Sequence, residues 1–191
     1  TGTHRLMVAR VLDKEQILRE SSKVFRQLTD CCLTIPDDLF FKMPGEQWSV
    51  AQNVAHLIIS LKTTVAAYAL PKFLVRLIGG RPNRPSRSYD ELVEKYLAKL
   101  AAGGKASGRF VPKKIHSSYS RDQVLNKWLK VTEDYLEAIR RNWTTEQFDQ
   151  YIVKHPLLGK ITLRELCYFT IFHTRHHLEI IQSRINIADL N

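Results

Sequence analysis

At six candidate helix starts this chain sets an Asp, Ser or Thr three residues ahead of a Glu or Gln, and no other feature limits its fold so strongly. The pairs are Asp13–Gln16, Ser49–Gln52, Ser88–Glu91, Ser120–Gln123, Thr144–Gln147 and Thr162–Glu165. In such a box the first side chain accepts a free backbone N–H of the opening turn. The Glu or Gln reaches back to the capping residue's own N–H, so two orphan donors at a helix start are satisfied together. Several of the six lead into apolar residues at helical spacing. The pattern predicts helices over 13–35, ended by Pro36, and over 49–70, where Pro71 kinks or stops the run. Others follow over 89–102, ended by Gly103 and Gly104, over 121–142 and over 162–186. Residues 79–87 and 105–120 read as long connections. Residues 148–163 read as a turn-rich link with one short extended piece at Tyr151–Val153. Strand alternation is absent elsewhere, and no repeat of solenoid period occurs. The fold class expected is all-α, a four-helix bundle with an additional short helix and long loops between the second and third long helices. The 191 residues suit one domain, with 71–120 as a basic insertion or lid.

Three cysteines, Cys31, Cys32 and Cys167, form neither a disulfide framework nor a zinc knuckle, which suits a reducing cytoplasm. No run of about 18 apolar residues is present, so no membrane partner is expected. The first sixteen residues are polar, unlike a secretory leader. The net charge of +10 is concentrated: residues 71–121 hold six Arg and six Lys against three acids, a net +9.

The run "FHTRHHLEII" at 172–181 puts three histidines inside an apolar helix. At about 100° per residue, Leu163, Leu166, Cys167, Thr170, Ile181 and Ile185 form one stripe, and His173 and His177 fall on it or at its edge. His176 is rotated roughly 60° from His173, with Arg175 further out. A buried polar group without a partner costs about 1–3 kcal/mol. Two neutral imidazoles one turn apart are relieved by a shared divalent metal, or, alternatively, by hydroxyls and carbonyls in the core. A metal needs a ligand from another helix. His56 is the candidate, on a stripe with Asn53, Ser60, Thr63 and Ala67 that either lines a cavity or faces water. Asn53 either hydrogen-bonds a metal-bound ligand or is a surface amide. Trp48 and Tyr68 are pocket or core aromatics, and Cys167 is a small core residue. His4, His116 and His155 sit in terminus or loop contexts and read as surface groups.

Three blocks in order carry a family resemblance: "WSVAQNVAHL" at 48–57, "HPLLGKITLREL" at 155–166, and F-x-x-x-H-x-x-H-H-x-x-x-I at 169–181. Together they resemble the DinB/YfiT-like superfamily of metal-dependent four-helix bundles. The resemblance implies a divalent ion held by His56, His173 and His177. It implies metal-assisted hydrolysis, or transfer or isomerisation with a low-molecular-weight thiol, on a small-molecule substrate. It also implies a homodimer. The basic segment 71–121 is longer than a minimal member needs and is expected to cover the site or make a subunit contact.

Three neutral histidines leave an ion its full charge and an open position, the arrangement of catalytic sites. All-nitrogen ligation suits Zn or Ni, with Fe, Mn or Co as other options. A zinc peptidase is discounted, because 173–177 reads H-T-R-H-H and lacks the Glu of H-E-x-x-H. Glu179 is expected to point away from the metal. His176 is the catalytic candidate, as a proton-transfer group beside the ion, with a plain surface imidazole as the alternative. The competing function is a nucleic-acid or acidic-partner binding module built on 71–121, weakened by the lack of a stacking motif. A phosphotransfer bundle ranks last, since it needs an exposed histidine.

Overall fold

The computed structural model describes residues 11–113, 115 and 119–188. His4 and His116 lie outside them. Among the described residues seven α-helices follow in chain order: α1 (Lys14–Leu33), α2 (Asp37–Phe41), α3 (Val50–Ala69), α4 (Lys72–Gly79), α5 (Tyr89–Ala101), α6 (Arg121–Asn142) and α7 (Leu163–Ala188). Two strands, β1 (Ile152–His155) and β2 (Gly159–Thr162), precede α7. Helices α1, α3, α6 and α7 make the four-helix bundle expected from the sequence.

The boxes explain where the helices start. Asp13, Ser49, Ser88 and Ser120 each cap their helix with both reciprocal bonds in place. Thr162 and Glu165 exchange the same pair at the start of α7, at 2.8 and 3.2 Å. Thr144–Gln147 differs: the Thr144 N–H donates to Gln147, but the turn that follows is a short 3-10 helix, Glu146–Asp149.

Helix α1 packs on α6 and α7, and α3 packs on the same two, so α1 and α3 stand on one diagonal of the bundle. The apolar faces meet in a continuous core that includes Leu28, Leu57, Trp128, Tyr135, Ile139 and Ile171. Phe25 sets its ring edge-on to Trp128 and Tyr135, at centroid distances of 5.4 and 5.6 Å. Such pairs add about 0.5–1.5 kcal/mol beyond their buried area. Among the described residues no single helix is long and apolar enough to cross a membrane.

Two elements depart from the expectation. Pro71 does stop α3, but the chain restarts at once as α4, turned by 111°. The expected extended piece at Tyr151–Val153 is half of an antiparallel hairpin, with Ile152 opposite Thr162 and His155 opposite Gly159. Helix α4 closes onto this hairpin through Gly79, where a Cβ would come within 1.8 Å of the Ile152 carbonyl oxygen. Only glycine permits that approach.

The basic segment is tied down by its own cations. Arg84 places both guanidinium nitrogens on the carboxylate of Glu165, at 2.8 and 3.0 Å, and Arg87 adds a third contact at 3.1 Å. The Glu165 side chain is fully buried. Burial pushes its carboxyl up, but Arg84 and the backbone donors of Arg87 and Thr162 outweigh that, and the net shift is downward. Arg76 lies over Tyr151, Lys72 over Trp143, and Arg121 donates to the Ile35 carbonyl at 2.6 Å. These cations serve the fold rather than a free surface.

Candidate metal centre

His56 projects from the second turn of α3, and His173 and His177 from successive turns of α7, the helix packed against it. All three are buried, at 7, 4 and 6 % exposure, which resolves the choice left open for His56. Each offers one nitrogen to a common point, and those nitrogens lie within 4.8 Å of one another. The Nε2 atoms of His56 and His173 are 3.1 Å apart. Tetrahedral zinc–nitrogen bonds of about 2.0–2.1 Å would set two ligands about 3.3 Å apart, so the spacing fits.

Hydrogen bonds made outside the cluster fix two of the rings. The Nδ1 of His56 meets the Phe110 carbonyl at 2.7 Å. A carbonyl only accepts, so Nδ1 carries the proton and Nε2 presents a bare lone pair. Phe110 ends the 3-10 turn Gly108–Phe110 within the basic segment, so that segment does reach the site. The Nδ1 of His177 meets Asn53 Oδ1 at 2.8 Å. The amide cannot flip without loss, because its Nδ2 donates to the Ser49 carbonyl at 2.8 Å. His177 therefore also turns an unprotonated Nε2 inward. Asn53 is 1 % exposed; it is a buried orienting group, which corrects the surface amide that the sequence reading favours.

The electrostatics agree. Burial lowers the pKa of His56, against a smaller upward pull from the Phe110 carbonyl. Burial, then the neighbouring imidazoles, holds His173 and His177 well below the ordinary value. Three neutral imidazoles, two with a lone pair turned inward and the third with its Nε2 beside them, make a donor set that fits a divalent transition metal, because the ion replaces the missing proton donor.

His56 and His173 also line a cavity of about 120 Å³. Its walls include Tyr96 of α5, Lys105 and Phe110 of the long connection, His155 of β1, and Phe169 of α7. His155 corrects the sequence expectation. It is not a surface imidazole: its ring sits edge-on to Phe169 at 4.3 Å, and burial pushes its pKa down to about 4. The turn residues around it, Pro156 and Gly159, suggested a loop, and strand pairing across them was the missed clue.

His176 is half-buried, stacked on Phe172 at 5.9 Å, and lies outside both the cluster and the cavity wall. Burial lowers its pKa, with Glu179 pulling the other way. Glu179 is exposed, as expected. Trp48 covers the cluster, 5.1 Å from His56 and 6.4 Å from His177 between ring centroids. Tyr68 and Cys167 belong to the core, where the Tyr68 hydroxyl lies 2.8 Å from the Cys167 sulfur and burial raises that thiol to about 11.

Residues 16–181 match the sequence model of the DinB superfamily. The chain belongs to that superfamily. Among curated proteins, none matches it. A crystal structure of a Streptococcus pneumoniae protein is similar at a TM-score of 0.59 and 14% identity, over 97% of each chain. YfiT from Bacillus subtilis, described as a probable metal-dependent hydrolase with an unusual four-helix bundle topology, is similar at a TM-score of 0.54 and 20% identity. That match covers 92% of this chain and 87% of YfiT. At these identities the likeness speaks for the fold, and this DinB-superfamily chain carries a buried three-histidine cluster able to hold a metal.

Proposed function

We propose that this DinB-superfamily chain is a divalent-metal-dependent enzyme that hydrolyses a small molecule, with His56, His173 and His177 as the metal ligands. The observation that carries the reading is the pair of outside hydrogen bonds, from Phe110 and Asn53, that turn two lone pairs onto the point shared with His173. Those bonds satisfy one nitrogen of each ring and leave its Nε2 on the inner side, where the Nε2 atoms of His56 and His173 crowd to 3.1 Å, a spacing that a shared ion relieves. A divalent ion on three neutral ligands supplies Lewis acidity and lowers the pKa of bound water toward about 7.

The chain's own residues do the rest. Phe110 and Asn53 hold the ring tautomers. Trp48 and Phe110 exclude bulk water from one side. The cavity beyond His56 and His173 gives a substrate access. The description of YfiT as a probable metal-dependent hydrolase points the same way. Transfer involving a low-molecular-weight thiol uses the same open position and is the second reaction to assay. The anchoring of Arg84 and Arg87 on Glu165 speaks against 71–121 as a nucleic-acid surface.

The test is elemental analysis after loading with Zn or Ni, on the wild type and on His56→Ala and His173→Ala. The expected result is one ion per chain for the wild type and none retained through gel filtration for either variant. Chelator-sensitive turnover of activated esters and amides, then of thiol-plus-electrophile pairs, identifies the reaction. Equal metal content in all three proteins removes the reading.

A further inference from the structure

The cavity holds a fourth imidazole for which metal binding has no use. His155 closes β1, and its Nδ1 accepts the backbone N–H groups of Leu157 at 3.2 Å and Leu158 at 3.1 Å. A nitrogen that takes two N–H donors carries no proton, so the ring proton sits on Nε2. That Nε2 has no hydrogen-bond partner among the described residues, and it is not one of the buried polar atoms sealed without one. It therefore stays accessible, on a ring that lines the cavity. Phe169, edge-on at 4.3 Å, holds the ring in place, and Phe169 in turn stacks on His173 at 4.8 Å. The hairpin turn thus builds a hydrogen-bond donor of fixed tautomer, one aromatic ring away from the three-histidine cluster.

The rest of the wall says what such a donor would meet. Ala67, Leu157, Leu166 and Phe169 make it largely apolar. Lys105 and Lys154 line it too, and among the described residues neither has an acidic partner. At about 120 Å³ the space approaches that which admits a benzene-sized guest elsewhere. An apolar pocket with a few converging polar groups is the usual form of a small-ligand site.

We propose that His155 is a substrate-binding residue, whose Nε2–H donates to an oxygen of a small carboxylate with an apolar body. Lys105 and Lys154 supply the positive potential that selects the anion, and the body of the ligand lies against Leu166 and Phe169. The inference rests on the enzymatic reading for where the reaction occurs, but binding itself is separable from it.

The experiment uses the full chain, both metal-loaded and chelator-treated, with benzoate as the probe and benzylamine as its cationic counterpart. His155→Asn keeps an acceptor for the turn at the Nδ1 position but, being shorter, no longer places a donor where Nε2 stood, whereas His155→Gln reaches that position with its amide N–H. The expected result in the chelator-treated protein is benzoate binding at least fivefold weaker in His155→Asn, partly restored in His155→Gln, with benzylamine not bound. Long-range 1H–15N spectra of the wild type are expected to show the Nε2–H tautomer, and benzoate to shift that resonance. An Nδ1–H tautomer, absent benzoate binding, or equal affinity in wild type and His155→Asn overturns the proposal. If benzoate depends on His155 while no ion binds to the histidine cluster, the enzymatic reading fails and this site stands. If the ion binds and benzoate ignores His155, the reverse holds.

Discussion

Acid probes the buried cluster directly. In the metal-free protein, burial and neighbouring imidazoles keep His173 and His177 neutral well below the ordinary value, and burial brings His155 to about 4. In the unfolded chain each returns to about 6.5. Between those limits the unfolded chain binds more protons than the native one. Stability therefore rises with pH, and it is lost progressively as pH falls below the unfolded value. From pH 7.5 to 5.5, a group that stays neutral throughout contributes at most about 1.4 kcal/mol. Three such groups set a ceiling of about 4 kcal/mol, which the partial exposure of His155 and screening by solvent lower to about 3–4 kcal/mol. Whole domains have only about 5–15 kcal/mol of stability. At about 2–4 °C per kcal/mol for a chain of this size, Tm falls by about 6–16 °C. The assay is thermal melting followed by circular dichroism, on chelator-treated protein at constant ionic strength. His173→Asn is expected to reduce the pH slope, since one of the groups whose folded pKa is depressed is gone. A melting temperature flat over this window would show that the rings are solvated in the native state and that the premise of a buried, neutral cluster is wrong.

Three further outcomes follow from the packing. Asn53→Ala is expected to weaken metal affinity about 10–100-fold while leaving one ion per chain, read by competition with a chelating dye; unchanged affinity removes Asn53 as the orienting group. Glu165→Ala leaves Arg84 and Arg87 without their shared carboxylate and α7 without its cap, and about 3 kcal/mol is expected to be lost in urea unfolding, less for Glu165→Gln. Gly79→Ala forces α4 away from β1 against a 1.8 Å clash, at about 1–3 kcal/mol; a neutral result there would mean that α4 is free to drift from the hairpin.

The parts of this molecule that were legible in the sequence are those governed by near neighbours. Asp13, Ser49, Ser88 and Ser120 announce their helices because the capping bonds span three residues. His173 and His177 were placed together by one helical turn. What the sequence left open depends on partners far along the chain. His56 lies off the main apolar stripe of α3, but that helix buries two faces, one against α6 and one against α7, so a single stripe could not decide its orientation. Asn53 acquires its role only when His177 arrives from 124 residues away. Glu165 read as a cap alone, and its pairing with Arg84 across 81 residues has no local pattern. The hairpin went unrecognised because each strand is four residues long, and its turn, Pro156 to Leu158, looks like any loop.

The diagonal placement of α1 and α3 bears on how the chain matures during synthesis. Neither helix has the other as a main packing partner, and the helices that embrace both, α6 and α7, are the last two to leave the ribosome. A nascent chain halted before residue 121 holds apolar faces with nothing to cover them, a state that invites chaperones. Only with the final helix does His56 meet its two companions, so the capacity to bind an ion and the completion of the fold arrive in the same step.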